Sequence, residues 1–149
     1  MRHDGLRLPP DDLSYDAYGH SDWTTYAASG RQHAEFFSSV IRRHMPATTP
    51  LRICEWGCGP ARIIRHLPTL LADLKPQLTG TDYNLRSIAW CKENIADVSF
   101  APNKLEPPIA LPAASFNCIY CLSVFTHLSE PMHSAWIAEL TRLVEPGGY

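Results

Sequence analysis

Leu51-Arg52-Ile53-Cys54-Glu55-Trp56-Gly57-Cys58-Gly59 decides the reading of this chain. An apolar run stops at an acid and turns on two glycines one residue apart. That pattern predicts a buried strand ending in a tight loop. Glycine tolerates positive φ there and lets a ligand approach the backbone. Downstream, Leu78-Thr79-Gly80-Thr81-Asp82 is a second short strand-like run, and it too ends in an acid. Two neighbouring strands, one ending in a glycine loop and one in a carboxylate, frame a nucleoside-binding crevice.

Upstream of the loop, residues 1–22 are rich in Pro, Asp, Gly and Tyr, show no period and read as an N-terminal arm. Residues 23–149 read as one domain. From Trp23 to Met45, His33, Phe36, Phe37, Val40, Ile41 and His44 recur three and four apart, which predicts a helix with these residues on its packed face. Pro46 and Pro50 are expected to end it. After Gly59, Pro60 suits a first helical turn. Ile63, Ile64 and Leu67 supply an apolar face, interrupted by Pro68 and resumed by Leu70, Leu71 and Leu74. A second strand is expected over residues 77–82, then a helix capped by Asn84 and running to residue 95, with Ile88, Cys91 and Ile95 inward. A short strand at 98–101, a proline-rich loop at 102–115 and a strand at 116–123 follow. A helix over 129–144 is expected to bury Trp136, Ile137, Leu140 and Leu143 before Pro146-Gly147-Gly148 stops it.

This alternation predicts an α/β fold, a Rossmann-like three-layer sandwich with a mostly parallel sheet. A further strand is expected after residue 148, so the C-terminal strands are expected to be missing. Cys118, Ile119, Tyr120 and Leu122 would then lie on an exposed apolar edge that invites self-association.

The 149 residues suffice for one domain with a sizeable core. Apolar residues make up 45% and charged residues 19%, a globular balance. A net charge of −2 supplies no basic field for nucleic acid. No apolar stretch nears the roughly 18 residues that cross a bilayer, and the N-terminus has no apolar signal core. A cytoplasmic setting is the expectation. The five cysteines form no regular framework and are expected as free thiols. Cys118 and Cys121 look like a CxxC pair. Three apart on a strand, however, their side chains point to opposite faces, so no shared metal is expected.

Glu55-Trp56-Gly57-Cys58-Gly59-Pro60-Ala61 resembles motif I of the class I S-adenosylmethionine-dependent methyltransferases, (D/E)xGxGxG, with Ala61 in place of the third glycine. Asp82 matches the acid at the end of that family's second strand. Residues 114–128, ASFNCIYCLSVFTHL, are similar to its fourth-strand motif, and residues 139–148, ELTRLVEPGG, to the stretch before its fifth strand. Four motifs in the right order over residues 51–148 make a joint signal that none carries alone.

The resemblance implies S-adenosylmethionine as cofactor and methyl transfer to O, N or C of an acceptor, here expected to be a small molecule. It implies that Asp82 holds the ribose hydroxyls. Gly57, Cys58 and Gly59 would approach the amino-acid portion, with Glu55 near that loop. Tyr83, Asn103 and Leu105 fall beside adenine, and Cys121, Leu122 and Ser123 near the sulfonium. Phe125 would wall the substrate side. Tyr83 reads equally as a ring packing the turn, and Asn103 equally as a turn former. His127 is a candidate general base toward the acceptor, or a histidine orienting a helix start. His20, Tyr26, Gly30 and Arg31 fall where relatives place a lid, and a surface helix accounts for them as well. No metal is implied.

Two rival ligands are weakened by the same residues. The dinucleotide fingerprint GxGxxG/A meets Arg62 at its sixth position, too large for close helix–strand packing. A P-loop would need GK[ST], which is not present. The alternative to an enzyme is a non-catalytic nucleoside-binding module, or an inactive remnant that keeps the fold alone.

Overall fold

The computed structural model describes residues 2–3, 5–45 and 50–149. A short antiparallel ribbon, β1 (Arg2–His3) and β2 (Leu6–Arg7), comes first. The expected arm then forms a helix, α1 (Asp11–Tyr18). Its signals are local: Asp11 and Asp12 complement the dipole in the first turn. Gly19, at φ 71°, ends the helix by donating its N–H to the Tyr15 carbonyl. Only Leu13 and Ser14 of its eight residues are buried, so no apolar period marks it.

α2 (Trp23–His44) is capped by Asp22, whose carboxylate accepts the Thr24 and Thr25 N–H groups. Its buried face carries Tyr26, Ala27, Gly30, Ala34, Ser38 and Ile41. The expected stripe is therefore corrected: Phe36 and Val40 are exposed, and His44 sits at the surface beside the Tyr149 ring. Small side chains decide the face because they let the helix approach the protein closely. The stop expected at Pro46 lies outside the described residues.

β3 (Arg52–Trp56) follows. The helix expected after it is instead a broken segment. 3₁₀ turns at Ile64–His66 and Ala72–Leu74 flank the single-turn α3 (Leu67–Leu70). Ala61 stands at φ 59°, outside helical space, and Pro68 has no N–H to give. Ile63, Ile64, Leu67 and Leu71 are buried all the same. β4 (Gln77–Asp82), α4 (Leu85–Asn94) and β5 (Ser99–Pro102) match expectation closely, and Asn84 accepts the Arg86 and Ser87 N–H groups as N-cap. The last strand, β6 (Cys118–Tyr120), has three residues rather than eight. Phe116 makes only an isolated bridge to Val144. α5 (Glu130–Leu143) completes the chain's helices.

The four strands are parallel, in the order β5-β4-β3-β6. Side chains alternate along β3. Ile53 packs in a core with α2, α3 and α4, whereas Cys54 and Trp56 pack in a second core with α5. The result is a Rossmann-like three-layer sandwich. On α5, Trp136 and Leu143 are buried, but Ile137 is 56% exposed. Cys118 and Cys121 belong to opposite cores.

The expected apolar edge on β6 is also corrected. Cys118 and Tyr120 are buried, and Tyr120 stacks on Phe37 of α2 at 4.3 Å. Tyr149 pairs with the strand's outer side: its N–H donates to the Asn117 carbonyl, and its carbonyl accepts the Ile119 N–H. The expectation of self-association thereby loses the exposed apolar surface it was drawn from. Among the described residues no helix is long and apolar enough to cross a membrane.

Candidate active site

The carboxyl end of β4 is the hub of the site. The Gly57 and Cys58 N–H groups both donate to the Thr81 carbonyl, at 2.8 and 2.9 Å. Gly59 N–H donates to Asp82 Oδ2 at 2.7 Å, and Asn84 N–H to Asp82 Oδ1 at 2.8 Å. Asn103 N–H reaches the Asp82 carbonyl at 3.0 Å. The loops after β3, β4 and β5 are thus tied to one dipeptide. Burial pushes the Asp82 carboxyl up from the usual carboxylate range, and its backbone hydrogen bonds oppose that rise.

Above this hub lies a cavity of about 580 Å³. It opens where β3 and β6, whose following helices cover opposite faces, part at their carboxyl ends. That crevice is where open α/β sheets bind ligands. Gly57 stands at φ 75°, and a Cβ there would lie 2.3 Å from Val124 Cγ2. No other residue lets the β3 and β6 loops meet so closely. Ser123, also on the cavity wall, holds a left-handed φ of 59° despite its side chain. Such a backbone costs roughly 1–2 kcal/mol. Trp56 and Trp136, ring centroids 4.6 Å apart, supply the aromatic floor, and Trp136 Nε1–H donates to the Leu105 carbonyl.

Of the expected site residues, Gly57, Gly59, Asp82, Tyr83, Asn103, Leu105 and His127 line this cavity. Leu122, Ser123, His20 and Tyr26 line it as well. Glu55, Cys58 and Cys121 are not brought to its wall. Glu55 shares the Ile53 face of β3, beneath the loop. Its Oε2 accepts the Ile64 N–H at 3.0 Å and the Tyr120 hydroxyl at 3.3 Å. Burial pushes its pKa up to about 8, against the lowering pull of those bonds and of Arg62. The Cys58 side chain points into the core behind the turn, 3% exposed, and Cys121 packs toward α5. Phe125 packs its ring edge-on to Trp56 at 5.2 Å. Gly30 and Arg31 stay on α2 away from the cavity wall.

Sequence reasoning missed several contributors, Trp136 and Ser29 among them. Tyr18 comes from the helix hidden in the expected arm, and Trp56 read only as a strand residue. Arg62 was noticed for its size alone, yet it lines the cavity with its guanidinium 4.7 Å from the Tyr18 ring centroid. The signal for Tyr18 was the acidic first turn and the closing Gly19 of α1. No sequence signal marked Arg62.

The family model of the methyltransferase domain matches residues 53–148. The fold is similar to that of a TehB-like S-adenosylmethionine-dependent methyltransferase from Corynebacterium glutamicum, with TM-score 0.69 and 21% identity, over 94% of this chain and 71% of that one. It is also similar to an S-adenosylmethionine-dependent methyltransferase from Mesorhizobium loti, with TM-score 0.55 and 19% identity, over 77% of this chain and 50% of that one. A third likeness is to the plantazolicin methyltransferase BpumL, solved in complex with a monoazolic desmethylPZN analogue and S-adenosylhomocysteine. There the TM-score is 0.64 and the identity 20%, over 89% of this chain and 46% of that one. At these identities the likeness is one of fold. The chain spans about half the length of the latter two.

Proposed function

This chain belongs to the methyltransferase domain family, whose class I members use S-adenosylmethionine, and from that premise we propose that it transfers a methyl group from that cofactor to an O, N or C atom of a small-molecule acceptor. The observation that carries the reading is the 2.7 Å bond from Gly59 N–H to Asp82 Oδ2, which brings the glycine turn and the acid to one cavity.

The residues present fit the cofactor. A volume of about 580 Å³ falls within the roughly 300–1,000 Å³ of small-molecule sites. The Asp82 carboxylate takes the Gly59, Asn84 and Tyr83 N–H groups, and its remaining acceptor capacity is open to a ribose hydroxyl. Asn103 Oδ1 is buried without a partner, an acceptor suited to the exocyclic amine of adenine. Tyr83 and Leu105, 60% and 62% exposed on the cavity rim, offer apolar surface to a flat base. Bound there, S-adenosylmethionine supplies an electrophilic methyl group on a sulfonium.

The chain's own contribution is placement. The Gly57–Gly59 backbone would hold the amino-acid portion, and Asp82 would fix the ribose. Trp56, Trp136 and Leu122 keep the floor apolar and exclude water. Holding two reactants in line supplies much of the acceleration in a direct displacement. His127, on the wall, would take a proton from the acceptor onto an imidazole nitrogen.

Calorimetric titration of the 149-residue chain tests the reading. Saturable binding of S-adenosylhomocysteine is expected, weakened at least tenfold in Asp82→Asn. A wild-type chain that binds neither S-adenosylhomocysteine nor S-adenosylmethionine would end it. Binding without transfer to any of a broad panel of acceptors would reduce it to a binding module.

A further inference from the structure

Arg62 is a cation in the cavity wall whose charge is not matched. Its Nη1 donates to Ser29 Oγ at 2.7 Å, and its Nε is buried with no hydrogen-bond partner. His33 Nδ1 lies 3.4 Å from the same Nη1, but that nitrogen already sits 2.7 Å from the Ser29 carbonyl and must carry the proton there. It therefore has no lone pair to offer Arg62. Among the described residues no carboxylate forms an ion pair with Arg62. Asp16 also lines the cavity without pairing to it. Glu55 beneath the turn is no counter-ion near neutral pH, because burial pushes it up to about 8. Tyr18, against the guanidinium, is held neutral by burial.

The position of Arg62 is built. Gly30 of α2 makes room for it: a Cβ there would stand 2.4 Å from the Arg62 carbonyl oxygen and 2.9 Å from its Cγ. Tyr26 of the same helix donates its hydroxyl to the Pro60 carbonyl at 3.1 Å, fixing the chain just before it. Tyr18, which the guanidinium covers, has its hydroxyl 3.4 Å from where a Gly59 Cβ would lie. Arg62 thus stands on the glycine-turn side of the cavity, away from the unpartnered Asn103 Oδ1 in the loop after β5. A half-buried guanidinium with an unused N–H facing a cavity is matched by a carboxylate, which it can take bidentately.

We propose that Arg62 anchors the carboxylate of the ligand's amino-acid portion, with Ser29 and Tyr18 holding the guanidinium in place. This rests on the cofactor assigned above, and the test separates the two. S-adenosylhomocysteine carries that carboxylate, and 5′-methylthioadenosine keeps the nucleoside without it. Both are titrated calorimetrically into the wild-type chain, Arg62→Gln and Arg62→Lys, with circular dichroism to check the fold. Arg62→Gln is expected to weaken S-adenosylhomocysteine roughly 10- to 100-fold. The affinity for methylthioadenosine should stay within about threefold. Lys restores the charge without the planar fork, so it should recover part of the loss. Should the Gln variant fail to fold, the Lys variant carries the same comparison, since it too should lose more toward S-adenosylhomocysteine than toward methylthioadenosine. Equal losses for both ligands, or none for either, overturn the role of Arg62 while leaving the cofactor in place. An unchanged S-adenosylhomocysteine affinity is also the result expected if Arg62 instead receives a carboxylate of the acceptor. A wild type that binds neither ligand removes both proposals.

Discussion

Glu55 shows how far a single residue can be read from its neighbours. The motif places an acid before the glycines, and the acid is there. Which way it points is set by strand alternation and by the loop that folds over it. Its carboxyl is 3% exposed and ties the Ile64 N–H and the Tyr120 hydroxyl together under the turn. Burial raises its folded pKa from 4.5 to about 8, so the folded state holds a proton that the unfolded state has released. The stability from this group is complete below about pH 4.5 and is lost as pH rises to about 8. The full loss amounts to about 5 kcal/mol. The wild-type melting temperature should therefore fall between pH 5 and pH 8 more steeply than that of Glu55→Gln. Asp82, raised in the same direction, should leave a residual slope in the variant. Parallel curves for the two proteins would show that Glu55 does not titrate as described.

At the scale of the element, α2 separates what propensity decides from what packing decides. Its span was legible: a helical pattern reads from Trp23 to Met45, and the helix runs Trp23–His44, with Asp22, which the pattern did not mark, as its cap. Its inward face was not, because periodicity counts hydrophobicity and this interface selects for small size. Gly30, Ala34 and Ser38 face inward while Phe36 is 59% exposed. Gly30→Ala weighs the two effects directly. Helix propensity favours alanine by up to about 1 kcal/mol. The new Cβ, however, would meet the Arg62 backbone carbonyl at 2.4 Å, where no flexible atom can yield. Urea unfolding should show a net destabilisation of about 2 kcal/mol, and a stabilised variant would refute the close approach. The broken segment after β3 teaches a related lesson. Its apolar residues are buried as their pattern suggests, but Ala61 and Pro68 prevent a continuous helix.

Across the whole molecule, the cavity is assembled from pieces far apart in the chain: α1, the turn after β3, the β4 end, the loop after β5 and the loop after β6. A ligand there bridges all of them, so binding should stabilise the domain as one unit. At about a hundredfold excess over Kd, S-adenosylhomocysteine should add roughly 2.7 kcal/mol. That corresponds to a melting shift of about 5–10 °C. α1 should respond most in hydrogen exchange. Its charged link to the rest is the exposed Asp12–Arg86 pair, and solvent screens such pairs so that they add little. Slower exchange of α1 amides on binding is the expected outcome, and unchanged exchange there would detach the N-terminal helix from the site.

Local stretches of the chain already specify the alternation of strands and helices, the glycine turn, and the acid that closes β4. These depend on contacts between near neighbours and on backbone freedom, which a local stretch carries. It took the folded packing to turn Glu55 inward, to set α1 against the cavity, and to leave Arg62 there without an ion-pair partner among the described residues. Direction, burial and the pairing of charge are properties of which distant surfaces meet, and no local spacing encodes them.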